Sequence, residues 1–302
     1  MDPELEVFVP LFPRTSLSDP VASREGLAGL AAAVPVPEVE GLVVEEWTVP
    51  AVVPGAPGVP VRVYRPAGAR GAVVWLHGGG YVMGTLDTEH PWAVRLAAGS
   101  GQVVVSVGYR LAPEHPYPAA LDDAWAVLHW VAANAGPLGV DGERIAVGGH
   151  SAGGGLAAAL ALRARDERGP AIRFQLLNQP QLDDRQETWS QRNFTDTPWM
   201  NRDRVAASWG FYLGDGEATP FAAPARAADL GGLPPAYIGT AELCPNRDED
   251  IAYALRLLRA GVSVELHQWP GTFHGSQAIV SAEISQRQNA ELGDVLRRAL
   301  AG

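Results

Sequence analysis

Apolar and polar positions fall into two alternating rhythms from residue 59 onward. Val59–Tyr64 alternates with period two, the mark of a half-buried strand. Gly71-Ala72-Val73-Val74-Trp75-Leu76 and Val103–Val107 are nearly continuous apolar runs, the pattern of strands covered on both faces. Between Ala120 and Ala135 the apolar residues Leu121, Ala124, Trp125, Leu128, Val131 and Ala132 recur at helical spacing. Further short strands are predicted at Ile145–Val147, Phe174–Leu177, Ala236–Ile238 and Val262–Leu266, separated by helical stretches. Ile251–Leu258 and Ile284–Leu300 read as the last two helices. Strands and helices alternating in this way predict an α/β fold, a mostly parallel central sheet with helices on both faces.

Two regions depart from the alternation. Residues 1–45 are mixed, with Pro35 and Pro37 breaking any long helix and a short helix expected around Leu27–Ala33. Residues 181–222 carry Trp189, Trp199, Trp209, Phe211 and Tyr212 among polar residues, without strand periodicity. An insertion of this size between sheet strands is expected to cap the strand ends, where open α/β sheets bind ligands. The alternative is a helical pair packed on the sheet edge.

Composition narrows the partners. A net charge of −11 opposes nucleic acid and anionic membranes. With 47% hydrophobic residues the 302-residue chain can bury a sizeable core. The single cysteine, Cys244, excludes an internal disulfide, as in a reducing compartment. The first residues lack the basic start and apolar run of a signal peptide, and no segment offers about 18 uninterrupted apolar residues. A cytoplasmic enzyme is expected, with homodimerisation left open.

Candidate chemistry centres on Gly149-His150-Ser151-Ala152-Gly153, between the strand Ile145–Val147 and an alanine-rich helical stretch. A serine flanked by glycines two positions either side, between strand and helix, is the nucleophile-elbow pattern. Upstream, His77-Gly78-Gly79-Gly80-Tyr81 follows the strand ending at Leu76. Two N–H groups of such a glycine run, with that of Ala152, would form an oxyanion hole. No Gly-Lys-Ser/Thr follows, which disfavours phosphate binding. His77 is read as bracing the loop. His274, in the loop after Val262–Leu266, has the placement of a hydrolase base, and the nucleophile precedes it in chain order. His150 is read as packing or cap contact. The acid should follow Ala236–Ile238, where Glu242, Asp248, Glu249 and Asp250 lie. Glu242, nearest the expected strand end, is the choice; the other three suit the N-terminus of the next helix.

The motifs together resemble the hormone-sensitive-lipase-like, or family IV, esterases of the α/β-hydrolase superfamily. The resemblance is carried by His77–Gly80, the run Tyr109–Asp123, the elbow Gly149–Gly154, Leu182–Arg185, Arg247–Glu249 and Pro270–Gly275. It implies an α/β-hydrolase fold with an N-terminal cap, here residues 1–45, before a catalytic domain over 46–302. It further implies an ester substrate and no cofactor, and it assigns Ser151 as nucleophile, His274 as base, and Gly79, Gly80 and Ala152 as oxyanion donors; no metal is expected. Two positions depart from the family pattern. His150 stands where the family usually has aspartate. Cys244 stands, without gaps, where the family usually carries the triad aspartate, so the acid is Glu242 from a shifted loop, or Asp248, or the triad is weakened. The expected activity is hydrolysis of short-to-medium acyl esters through an acyl-enzyme, with Tyr81, Trp199 and Trp209 lining the acyl pocket. The rivals are amide or lactone hydrolysis and a non-catalytic ligand-binding protein on the same scaffold.

Overall fold

The computed structural model describes residues 1–12, 17 and 19–301. The chain opens with α1 (Pro3–Glu6) and α2 (Pro20–Ala32), then β1 (Val43–Val49), β2 (Val59–Arg65) and β3 (Ala72–Leu76). Next come α3 (Leu86–Ser100), β4 (Val103–Val107), α4 (Ala119–Ala133), α5 (Ala135–Leu138), β5 (Ile145–His150) and α6 (Ala152–Asp166). β6 (Phe174–Asn178) leads into α7 (Trp189–Asn193) and α8 (Arg202–Leu213). The chain closes with β7 (Ala236–Leu243), α9 (Arg247–Arg259), β8 (Val264–Phe273) and α10 (Glu283–Leu300).

The strands form one sheet in the order β1-β2-β4-β3-β5-β6-β7-β8. β1, β2 and β4 pair antiparallel, and every pair from β4 to β8 is parallel. β3 and β4 are buried along their whole length, which explains their unbroken apolar sequence. One face packs on α4, α6 and α9, through residues such as Leu128, Leu160 and Leu257. The other packs on α3 and α10, through Val94, Leu292 and Leu296. Burying each of these side chains contributes about 1.5–3 kcal/mol. The mostly parallel sheet with helices on both faces expected from the pattern, and the α/β-hydrolase fold implied by the resemblance, are observed.

Three differences have physical causes. β1 was not expected: its sequence VVEEWTV is exposed almost throughout as an edge strand, so it lacks a buried-face signature. It begins at Val43, so the 45/46 boundary falls inside the sheet. α3 was hidden by Pro91 in its interior, although a reciprocal Thr85–Thr88 capping box starts it. β7 and β8 run well past their expected ends at Ile238 and Leu266, which moves the loops that carry chemistry.

The insertion 181–222 contributes α7, α8 and part of the cavity wall. α7 packs on the start of α9: the Gln191 amide donates to Asn246 Oδ1 and Glu249 Oε2, at 3.1 and 3.0 Å. Trp199 and Met200, between α7 and α8, line the main cavity. The larger part of the roof comes from the N-terminal segment, of which residues 13–16 and 18 lie outside the described residues. Arg24 of α2 ties this roof down: it donates to the carbonyls of Val82 (2.8 Å) and Ala112 (3.1 Å) and to both oxygens of Glu114.

Candidate active site

Ser151, Cys244 and His274 are each the first residue beyond the C-terminal end of a strand, β5, β7 and β8 respectively. The parallel sheet therefore delivers all three to the same edge, where ligands bind in this architecture. The β5–α6 turn is sharp because α6 crosses close to β3. A methyl group on Gly149 would lie 2.4 Å, and on Gly153 2.0 Å, from the Leu76 carbonyl oxygen, so only glycine fits at either position. Ser151 itself is held at φ 52° and ψ −120°, a strained conformation for a side-chain-bearing residue. The end of β6 and the residues after it secure it: Ser151 N–H donates to the Asn178 carbonyl at 2.9 Å, and Gln181 N–H donates to the Ser151 carbonyl at 3.0 Å.

His274 Nε2 lies 2.9 Å from Ser151 Oγ, and both residues are buried. Burial, with the nearby Arg204 charge, lowers the His274 pKa to about 4, so the imidazole is neutral at pH 7. The loop carrying it is pinned by Gln179, whose side-chain oxygen accepts the Gly275 N–H at 2.9 Å. Sequence reasoning missed Gln179. Its signal is faint, a polar Asn178-Gln179 pair at the end of a buried strand.

The third position corrects the choice of acid. Cys244 Sγ sits 3.0 Å from His274 Nδ1 and is fully buried. Glu242 is elsewhere. β7 continues through Leu243, and Glu242 occupies an irregularity in its pairing with β8, exposed to solvent, where its carboxylate accepts the Gly271 N–H at 2.6 Å. Asp248 is engaged too: it accepts the Ser190 N–H at 2.8 Å and pairs with Arg247. Glu249 accepts the Leu182 and Asp183 N–H groups. The Cys244 thiol is pushed well above its ordinary pKa by burial, with the Asp250 and Glu249 carboxyls adding to the effect. It is therefore a neutral S–H. The backbone N–H groups of Asn246 and Arg247 act on its pKa in the opposite direction, and the Arg247 N–H donates to the Cys244 carbonyl at 3.0 Å.

The glycine loop after β3 is braced from behind. Tyr109 donates to the His77 carbonyl at 2.7 Å and stacks on the His77 ring at 4.0 Å. His77 is buried, with its pKa lowered by burial to about 4, in keeping with a bracing role. Arg110 in turn forks onto Asp123, with contacts of 2.8 to 3.0 Å. Gly79 and Gly80 take φ of 124° and 59°. At Gly79 an added methyl would lie 2.3 Å from the Met83 carbonyl oxygen. Among the described residues no acceptor takes the N–H of Gly79, Gly80 or Ala152. Ala152 is the first residue of α6, where the helix dipole adds positive potential.

A cavity of about 560 Å³ opens over Ser151 and His274, walled by Phe8, Leu11, Phe12, Leu30, Trp199 and Ile279 among others. Of the three aromatics expected in the acyl pocket, only Trp199 lines it. Tyr81 is buried behind the glycine loop, stacked on Tyr212 at 3.8 Å with its hydroxyl on the Gln181 carbonyl. Trp209 is buried against Tyr81 at 5.5 Å. Both are core residues that hold α8 to the sheet. His150, read from the sequence as packing or cap contact, lines the cavity.

A buried serine–imidazole pair at the C-terminal edge of such a sheet, beside unpaired N–H groups, defines a serine hydrolase of the α/β-hydrolase class. The comparisons agree. The model of the α/β-hydrolase fold family matches residues 73–278. Carboxylesterase NlhH of Mycobacterium tuberculosis is 44% identical over 288 residues, 91% of this chain and 88% of its own length. Esterase LipI of the same organism is 47% identical over 207 residues, 67% of this chain and 64% of its own length. The solved structure of a bacterial heroin esterase superposes with a TM-score of 0.96 at 43% identity, covering 100% of this chain and 98% of that one. The chain belongs to the α/β-hydrolase family, in its hormone-sensitive-lipase-like branch.

Proposed function

We propose that this chain is a serine carboxylesterase acting on short-to-medium acyl esters, with Ser151 as nucleophile and His274 as base. The observation that carries this is the 2.9 Å contact between His274 Nε2 and Ser151 Oγ. An ester carbonyl in the cavity is attacked by Ser151 Oγ as His274 Nε2 takes the hydroxyl proton. Negative charge then develops on the carbonyl oxygen, and the N–H groups of Gly79, Gly80 and Ala152 receive it; one such donor is worth about 2.7–4 kcal/mol in the transition state. His274 returns the proton to the leaving alcohol, and water, activated by the same imidazole, releases the acid from Ser151.

Cys244 takes the place of the third group in this reading. A neutral thiol can accept from Nδ1–H or donate to Nδ1, so it selects the productive tautomer less firmly than a carboxylate and adds no charge to stabilise the imidazolium. The expected enzyme is therefore slow for its class. The cavity and charge favour a small ester partner, and the one buried thiol fits a cytoplasmic location. Among the described residues no helix is long and apolar enough to cross a membrane.

The test pairs p-nitrophenyl butyrate hydrolysis with labelling by a phosphonate ester. The wild type should turn over and take one phosphonyl group on Ser151, read by peptide mass spectrometry, and Ser151→Ala should do neither. Cys244 is the one feature favouring the non-catalytic ligand-binding reading. A wild type that binds esters but neither hydrolyses them nor labels would establish that reading and end the esterase one.

A further inference from the structure

The cavity wall holds one group that ester hydrolysis does not use. Among the described lining residues, Glu89 is the only Asp, Glu, Lys or Arg. It projects from the first turns of α3 and is only 5% exposed. Its Oε1 accepts the indole N–H of Trp75 at 2.7 Å. His150 Nε2 lies 3.9 Å from that same oxygen, beyond hydrogen-bond reach. His150 Nδ1 accepts from the Asn178 amide at 2.9 Å, so the neutral ring carries its proton on Nε2, beside Glu89. Glu89 Oε2 has no protein partner among the described residues and is not fully buried, and Glu89 lines the cavity.

A carboxyl in an apolar wall is costly to keep ionised. Burial pushes the Glu89 pKa up to about 8, so it is protonated at neutral pH. Accepting the Trp75 N–H needs only one neutral oxygen, which a glutamine would supply equally well. The second oxygen is the surplus. A protonated amine arriving there would drive Glu89 to release its proton to solvent and would gain a charge-assisted hydrogen bond with the carboxylate. A neutral alkyl group of the same shape would gain neither.

We propose that Glu89 is a recognition site for a protonated amine, and that the preferred substrates are esters whose alcohol or acyl part carries a basic nitrogen. This rests on the esterase reading and names its substrate class.

The probes are 2-(dimethylamino)ethyl butyrate and 3-methylbutyl butyrate, which match in shape and differ in charge, assayed by pH-stat at about pH 7 with wild type and Glu89→Gln. Relative to wild type, kcat/KM of the variant on the amine ester should fall at least about tenfold further than on the neutral ester. Equal falls, or no fall on either, would overturn the proposal and leave Glu89 as a brace for Trp75. A second measurement needs no variant: 2-(dimethylamino)ethanol should inhibit wild-type p-nitrophenyl butyrate hydrolysis at least about tenfold more tightly than 3-methylbutanol. Equal or weaker inhibition would overturn the proposal with the esterase reading intact. A wild type inactive on all three esters would instead defeat the esterase reading, and this proposal with it.

Discussion

Replacing Cys244 by aspartate should make this enzyme faster, and the structure sets how much. Cys244 Sγ is 3.0 Å from His274 Nδ1. A carboxylate in its place would centre its charge about 4 Å from that of the imidazolium, and at an effective dielectric constant of about 20 the attraction is about 4 kcal/mol. That corresponds to roughly three decades in rate if all of it is felt in the transition state. Two local effects act in opposite directions. The Asn246 and Arg247 backbone N–H groups favour an anion at this position, whereas the Glu249 and Asp250 carboxyls disfavour one. The net expectation is a gain of about 10- to 1000-fold in kcat. The pH profile supplies an independent sign. The wild-type His274 pKa is lowered to about 4, and a neighbouring carboxylate favours the imidazolium, so the acid limb of kcat/KM must move to higher pH, by at least about one unit. Both quantities come from p-nitrophenyl butyrate hydrolysis followed at the isosbestic wavelength of p-nitrophenol. Cys244→Ala is the control and should leave the acid limb in place. A folded Cys244→Asp enzyme with unchanged kcat and an unmoved acid limb would refute the reasoning, because it would show that Nδ1 is not sensitive to charge at residue 244.

Four further outcomes follow from the same geometry. Wild-type kcat/KM should stay flat as pH falls from 7 through about 5 and then decline through about 4, where His274 takes up the proton that disables it as a base. Glu242→Ala should keep kcat/KM within about threefold of wild type and cost no more than about 1 kcal/mol in urea unfolding, since its exposed carboxylate holds only the Gly271 N–H. Ser151→Gly should abolish turnover yet raise stability by about 1 kcal/mol in the same unfolding assay, because glycine relieves the strained φ of 52°. Gly153→Ala should destabilise by about 3 kcal/mol or more, although alanine ordinarily favours a helix interior by about 1 kcal/mol; the added methyl would lie 2.0 Å from the Leu76 carbonyl oxygen.

The central strands were legible because burial on both faces leaves a sequence little choice. β3 and β4 are apolar runs in the chain and fully buried runs in the sheet. The serine and the histidine were legible for a related reason: glycine is required on both sides of the elbow by the close approach of Leu76, and the loop of His274 follows a strand. The N-terminal roof was expected only through the family resemblance, as a cap over residues 1–45; the apolar pattern did not place it. α2 buries no long apolar stripe of its own, and its placement depends on Arg24 reaching carbonyls at Val82 and Ala112, far along the chain. The cavity lining was misread for Tyr81 and Trp209 because an aromatic side chain next to a catalytic loop serves packing as readily as a substrate, and the sequence does not say which way it points.

The acid was misplaced by five residues of strand. With β7 expected to end at Ile238, Glu242 fell in the loop and was the nearest carboxylate to the site. With β7 ending at Leu243, Glu242 is still in the sheet, on its solvent side, and the first residue free to turn toward His274 is Cys244. Nothing in the alternation of apolar and polar residues marks that difference, because Gly239-Thr240-Ala241 reads equally as strand or loop; what fixes it is pairing with β8, which also outruns its apolar segment and carries His274 to the same edge. The two strands extend together, and their matched ends set the 3.0 Å contact between thiol and imidazole. Position 244 is thus defined by backbone register and would face His274 whatever side chain it carried. The chemistry of the third group can therefore be changed by one substitution without rebuilding the site.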